Sequence, residues 1–222
     1  MAHAEKQLTS TDRDRISQRI AALETRTDAE VVCAVATESG RYDGAESRVG
    51  VCVALVSLYL AHTVVTLDDW EVVTAVPLAV QVLLVIAGFF VGSILASYWH
   101  GFRRLIVTRA EMDAEVECRV HQVFSQYGVG GTRHRGGLLI YLSLFEHRLE
   151  IRCDSEISGK ITPDDLETIR DVVLERVRTG NLTDGLLAGL DEADRILAAA
   201  MPHSTDTSDV LPNNLLVFHP RP

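Results

Sequence analysis

Four carboxylates stand where a β-sheet would present them at its ends. Glu30 opens the apolar run EVVCAVA, Asp154 follows the run RLEIRC, and Asp43 and Glu156 lie a few residues beyond strand-like segments. Carboxylates gathered at strand ends can converge on a hard divalent cation such as calcium or magnesium, which takes about six to eight oxygen ligands. Glu30 and Asp154 are the primary candidate ligands, with Asp43 and Glu156 as helpers. The competing reading is that these residues cap turns, and Asp154-Ser155 suits a turn well. Metal-assisted phosphate chemistry draws on a denser Asp/His cluster than this, and no catalytic residue is assigned from the sequence.

Other chemically suggestive stretches are weaker. GGTRHRGG (130–137) mixes glycines with Arg133, His134 and Arg135, but lacks the lysine and serine of a phosphate-binding loop and precedes a strand rather than a helix. It reads as a basic loop, either solvated or close to anionic lipid headgroups. Glu146-His147-Arg148 falls at a hairpin turn, and no nucleophile elbow accompanies it. Cys33, Cys52, Cys118 and Cys153 form no closely spaced pair and read as small hydrophobes rather than zinc ligands.

The elements that would position these groups follow from periodicity. STDRDRISQRIAALETR places Ile16, Ile20 and Leu23 on one helical face, with Ser10 or Thr11 as the expected cap. A buried strand follows, stopped by Gly40. Residues 110–127 repeat the helical pattern through Val116, Val120, Phe124 and Tyr127, and Gly128 suits the end. GLLIYLSL and RLEIRC read as a β-hairpin. In TPDDLETIRDVVLERVRTG, Thr162 is the expected N-cap, Pro163 the first helical residue, Asp165 the capping-box partner and Gly180 the stop. A last helix covers roughly 183–200, and 202–222 is a polar linker with a short apolar tail.

Composition limits the partners. With 21 basic and 31 acidic residues the net charge is −10, the wrong sign for a nucleic-acid binder, which relies on clustered Lys and Arg. No charged residue falls within 49–67 or 72–102. Runs of that length suffice for helices crossing a bilayer, which takes about 20 residues, so spans are expected at about 49–67 and 72–99. Tyr98 and Trp99 fit an interfacial end, and His62 an outer interface. Arg41, Arg48, Arg103, Arg104 and Arg109 flank the pair, whereas the connecting TLDDWE carries only Asp68, Asp69 and Glu71. Basic flanks favour the cytoplasm. Both termini are therefore expected inside and the acidic tip outside. The N-terminus, MAHAEKQLTSTDRDR, has no apolar core, so no cleaved leader is expected. Gly88 and Gly92 form a GxxxG that could pack the hairpin on itself or on a second copy as a homodimer.

One strand before the hairpin and two after it imply a single domain built from 1–47 and 101–201, with the membrane element 49–99 inserted. At this point the chain resembles a known family. The strand opening Thr27-x-Ala29-Glu30, the spacing Ser39-x-x-Tyr42-x-x-Ala45, the hairpin GLLIYLSLFEHR and the tail VLPNNLLVF resemble the membrane-embedded branch of the TPM-domain family. The resemblance implies an α/β fold, a three-layer α/β/α sandwich, here with an inserted two-helix transmembrane hairpin. It also implies that Arg148, which resembles a position kept in relatives' motif, orients its turn by pairing with a carboxylate. Members include thylakoid proteins linked to photosystem II repair and a modulator of a neurotransmitter receptor. Phosphatase activity and divalent-cation binding have been proposed for some relatives, so the family implies a fold rather than a reaction. Most TPM domains lie outside the cytoplasm, opposite to the side the charge pattern favours here.

The expected function is a non-enzymatic, partner-binding or assembly and maintenance module in an inner (cytoplasmic) membrane, in contact with the lipid bilayer and a membrane-protein partner. The alternative is a membrane-tethered, divalent-metal-dependent phosphatase. A transporter or channel is disfavoured, because ion paths use ionisable groups inside the membrane.

Overall fold

A computed structural model describes residues 4–66, 77–98, 106–131, 136–204, 211 and 213–219. The tip residues 67–71, the aromatic Trp99, Arg103, Arg104 and the basic loop residues 132–135 lie outside this set. The chain divides into two compact units, Arg41–Glu111 and a second composed of Ala2–Gly40 with Met112–Pro222.

The second unit is a mixed α/β structure. Its elements are α1 (Ala4–Gln7), α2 (Ser10–Glu24), β1 (Glu30–Ala36), α5 (Arg109–Gln126), a 3-10 turn (Val129–Gly131), β2 (Gly137–Ser143), β3 (Arg148–Cys153), α6 (Ser155–Ser158), α7 (Pro163–Arg178), α8 (Leu182–Ala200) and β4 (Leu216–Phe218). The first three residues of α5, up to Glu111, belong to the other unit. The sheet order is β3-β2-β1-β4. β1 is parallel to β2, Glu30 opposite Gly137 and Ala36 opposite Ser143, and parallel to β4. β3 runs antiparallel to β2.

The near-continuous apolar runs of β1 and β2 follow from burial on both faces. Val31, Cys33, Val35, Leu138, Ile140 and Leu142 pack against Ile16, Ile20 and Leu23 of α2 and against α7 and α8. On the opposite face, Val32, Ala34, Ala36, Leu139 and Tyr141 meet Val116, Val120 and Val123 of α5. Helices thus cover both faces of the central strands.

Local chemistry sets the helix ends. α7 begins as its sequence dictates, with a Thr162–Asp165 capping box and Pro163 first. For α2 the expected cap is corrected: Thr9, not Ser10 or Thr11, closes the box with Asp12. The short apolar tail docks on the sheet. Leu216–Phe218 add a fourth strand, with Thr37 N–H bonding Phe218 O at 3.0 Å and the Phe218 ring edge-on to Tyr127 at 6.0 Å.

The first unit holds α3 (Asp43–Thr66) and α4 (Leu78–Tyr98). α3 begins six residues before the expected span at 49, and Arg48 there pairs with Glu111 at 2.8 Å. α4 follows Pro77, whose carbonyl accepts from Val80 and Gln81. Among the described residues one helix, Leu78–Tyr98, is long and apolar enough to cross a membrane by length and composition. The two helices pack along a seam of small residues. A Cβ on Gly92 would sit 2.9 Å from Val53 Cβ and 3.0 Å from Gly50 Cα, and one on Gly88 3.1 Å from Ala54 Cα. Both glycines are buried against α3, so the GxxxG packs the two helices of one chain on each other.

Candidate functional site

The acidic rim lies at the end of the sheet where β1 and β2 begin and β3 ends. Thr27 fixes this end: its hydroxyl donates to Met201 O at 2.6 Å and accepts from Ala29 N–H, which ties the start of β1 to the end of α8. Glu30 then opens β1, its N–H bonded to Gly136 O at 2.9 Å. Asp154 N–H donates to Gly137 O at 2.9 Å. The two candidate ligands therefore flank Gly137 from the strands on either side of β2, with backbones about 9–10 Å apart at two inter-strand spacings. The space over Gly137 is filled, because a Cβ there would lie 1.8 Å from Val129 O. The carbonyl of Val129 thus stands over Gly137, the residue between the two carboxylate positions.

Asp154 caps α6. One carboxylate oxygen accepts from Ser155 N–H and, at 3.0 Å, from Ser155 Oγ. Its other oxygen, Oδ2, is buried without a hydrogen-bond partner. Glu156 is engaged with Lys160 at 2.8 Å. Asp43 belongs to the first unit, and its side chain lies outside the described residues. Among the described residues, no three His, Cys, Asp or Glu side chains come together as a metal cluster. The rim thus offers two carboxylates and a neighbouring carbonyl, fewer donors than a hard cation takes up from protein alone.

At the opposite end of β1 and β2, sequence reading missed a buried polar node. Ser39 N–H donates to Glu146 Oε1 at 2.8 Å, while Ser39 Oγ lies 3.0 Å from both Tyr141 OH and Ser143 Oγ. Ser143 Oγ donates in turn to Glu146 Oε2, and Arg119 Nε donates to Ser39 O at 3.3 Å. Burial pushes the Tyr141 hydroxyl up to about 12. These groups satisfy one another in the interior and lock the exit of β1 onto the β2–β3 turn. The available signals were Ser39 in the Ser39-x-x-Tyr42 spacing and Glu146 beside the turn. Arg148 pairs with Asp113 at 2.5 Å, the carboxylate partner expected for it.

Beside this node a cleft of about 1310 Å³ opens on the α7 side of the sheet. Leu142, Leu149, Leu174 and Val177 contribute apolar lining, and Arg15, Arg170, Arg178, Asp171 and Asp184 charged lining. Its charges are balanced, and Arg15 lies 3.8 Å from Asp184.

Residues 100–196 match the family model of the TPM domain. That stretch is a TPM domain. It contributes β2, β3, α5, α7 and most of α8, whereas the central strand β1 comes from before the inserted helices and β4 from after the match. The TPM stretch thus completes its sheet with segments on both sides. The NMR structure of the BA42 protein from the psychrophilic bacterium Bizionia argentinensis sp. nov. shares the fold, with a TM-score of 0.59 at 17% identity. The alignment covers 98% of this chain and 100% of that one. No curated protein sequence matches the chain.

Proposed function

We propose that the chain is a two-span integral protein of a bacterial inner membrane whose TPM-like domain is a non-enzymatic module that binds a membrane-protein partner. One observation carries the membrane reading: the exposed large hydrophobic side chains among the described residues all fall on α3 and α4. They run from Val51 through Leu55, Tyr59 and Leu83 to Tyr98, which is 83% exposed. Soluble proteins rarely expose contiguous apolar patches beyond a few hundred Å². Two helices joined on a glycine seam, apolar outside, suit hydrocarbon. The flanking arginines, against a connecting loop without Lys or Arg, support both termini in the cytoplasm. The non-enzymatic reading draws on the mutually satisfied buried node and the sparse rim.

Reporter fusions test the topology. A reporter after Pro222 that functions only in the cytoplasm should be active, and one inserted at 69 that functions only outside should be active too. External activity of the Pro222 fusion overturns the orientation, and release of the protein by alkaline carbonate overturns membrane integration.

The buried, unpartnered Oδ2 of Asp154 favours a second reading, a divalent cation at the Glu30–Asp154 rim. A cation at 100 times its dissociation constant raises stability by about 2.7 kcal/mol. A melting rise with calcium, magnesium or manganese that both Glu30→Gln and Asp154→Asn abolish would place the cation there and open phosphatase assays. An unchanged melting temperature with all three removes the cation and the phosphatase alternative with it.

A further inference from the structure

We propose that β3 is a self-association edge, along which two copies of the chain join their sheets antiparallel about a two-fold axis at Ile151. The inference goes beyond the membrane reading and stands independently of it. β3 ends the sheet order, so one side of it has no neighbouring strand among the described residues. Asp154 N–H bonds Gly137 O, and in this register Arg148, Glu150 and Arg152 likewise turn their backbone groups towards β2. Leu149, Ile151 and Cys153 therefore aim their N–H and C=O groups at the open edge. Such a row is a template for another strand.

The sequence of β3 selects which strand. Arg148, Glu150, Arg152 and Asp154 alternate in sign on one face of an edge whose other face carries Leu149, Ile151 and Cys153. Antiparallel pairing centred on Ile151 sets Glu150 opposite Arg152 of the second copy, Arg148 opposite Asp154, and their symmetry mates likewise. In the same register the outward-bonding residues meet, Ile151 with itself and Leu149 with Cys153, so the ladder closes. Shifting the centre to Glu150 keeps the backbone parity but places Glu150 against Glu150 and Arg148 against Arg152. Like charges directly opposite are unfavourable, so charge alone fixes the register. The Glu150 side chain is available for such a pair, with neither a hydrogen bond nor an ion pair among the described residues. Arg152 is held by two long contacts, 3.8 Å to Glu117 and 3.5 Å to His121 Nδ1. The cleft beside Arg148, Leu149 and Glu150 keeps the first half of the edge approachable.

The test uses the full chain in detergent micelles with Cys52, Cys118 and Cys153 replaced by Ser and Ile151→Cys introduced. Cys33 is fully buried and stays. Hydrogen-bonded antiparallel partners lie about 5.5 Å apart at Cα, within disulfide reach, so oxidation should yield a covalent dimer. Adding Glu150→Arg or Arg152→Glu alone should cut that yield at least tenfold. Mixing the two single variants before oxidation should restore it, because each then faces the opposite charge. A monomer from Ile151→Cys alone overturns the proposal. So does a dimer whose yield neither reversal lowers, as contact through α3 and α4 would give, or a mixture no better than its components.

Discussion

Asp194 on α8 should be the costliest single charge to remove from the TPM-like unit. Its side chain is 4% exposed and receives Arg19 Nη2 and Arg26 Nη1, each at 2.7 Å, so it ties α2 and the chain entering β1 to α8. Arg19 also reaches Asp191 at 2.6 Å, and these carboxylates raise the Arg19 pKa against its partial burial. Breaking a fully buried ion pair costs about 3–5 kcal/mol, but Arg26 is 62% exposed and turns to water at the surface scale of about 0–1 kcal/mol. Arg19, 23% exposed, keeps Asp191. The discounted expectation for Asp194→Ala is about 2–3 kcal/mol. At about 2–4 °C per kcal/mol for a chain of this size, the melting temperature falls about 4–12 °C. Thermal denaturation of the protein in micelles measures it, with Asp191→Ala as the control: that carboxylate is 67% exposed and should cost under about 1 kcal/mol. Equal losses for the two variants, or a loss below about 1 °C for Asp194→Ala, would refute the claim that burial sets the strength of this contact.

Three other perturbations probe other layers. Burial raises Cys33 from 9.0 and Tyr141 from 10.0, each to about 12. The unfolded chain releases these protons first, so stability is full below pH 9 and declines as pH rises towards 12; urea titrations across that range should show it, and Tyr141→Phe should flatten the decline above pH 10. At the seam, Gly92→Ala drives a Cβ against Val53 and the Gly50 backbone and should destabilise the micellar protein, at about 1–3 kcal/mol for overpacking. Gly44→Ala, whose nearest neighbour is the tip of Arg48 at 3.7 Å, should be neutral or stabilising by up to about 1 kcal/mol, and the opposite ranking in melting temperature would refute the close helix contact. Truncation after Ser204 removes β4 and the 2.9 Å contact between Thr37 and His219. It should speed hydrogen exchange at the Thr37 amide, which then loses Phe218 O as its acceptor; unchanged protection would mean that the tail does not dock.

What was legible in the sequence divides by the range of the interactions involved. Thr162 and Asp165 announce α7 because a capping box is complete within four residues. The same rule applied one residue earlier finds Thr9 with Asp12, so that miss was one of reading and not of information. β1 and β2 were legible as apolar runs, since strands enclosed by helices need no polar face, and β3 as the alternation of Leu149 and Ile151 with charged residues. β4 was not, because three residues carry no periodicity and its docking depends on an edge of β1 almost two hundred residues away in sequence. The Ser39–Ser143–Glu146 node was hidden for a related reason: it exists only once Ala36 is in register with Ser143. The rim shows the limit most plainly. Sequence placed Glu30 and Asp154 at one end of a sheet, but whether they share a ligand depends on Gly137 between them and on the Val129 carbonyl lying over it. The alternation Arg148, Glu150, Arg152, Asp154 reverses this relation. It is visible in the letters, yet it acquires a meaning only when topology leaves β3 at the edge, where opposite charges two residues apart specify a register for a second copy.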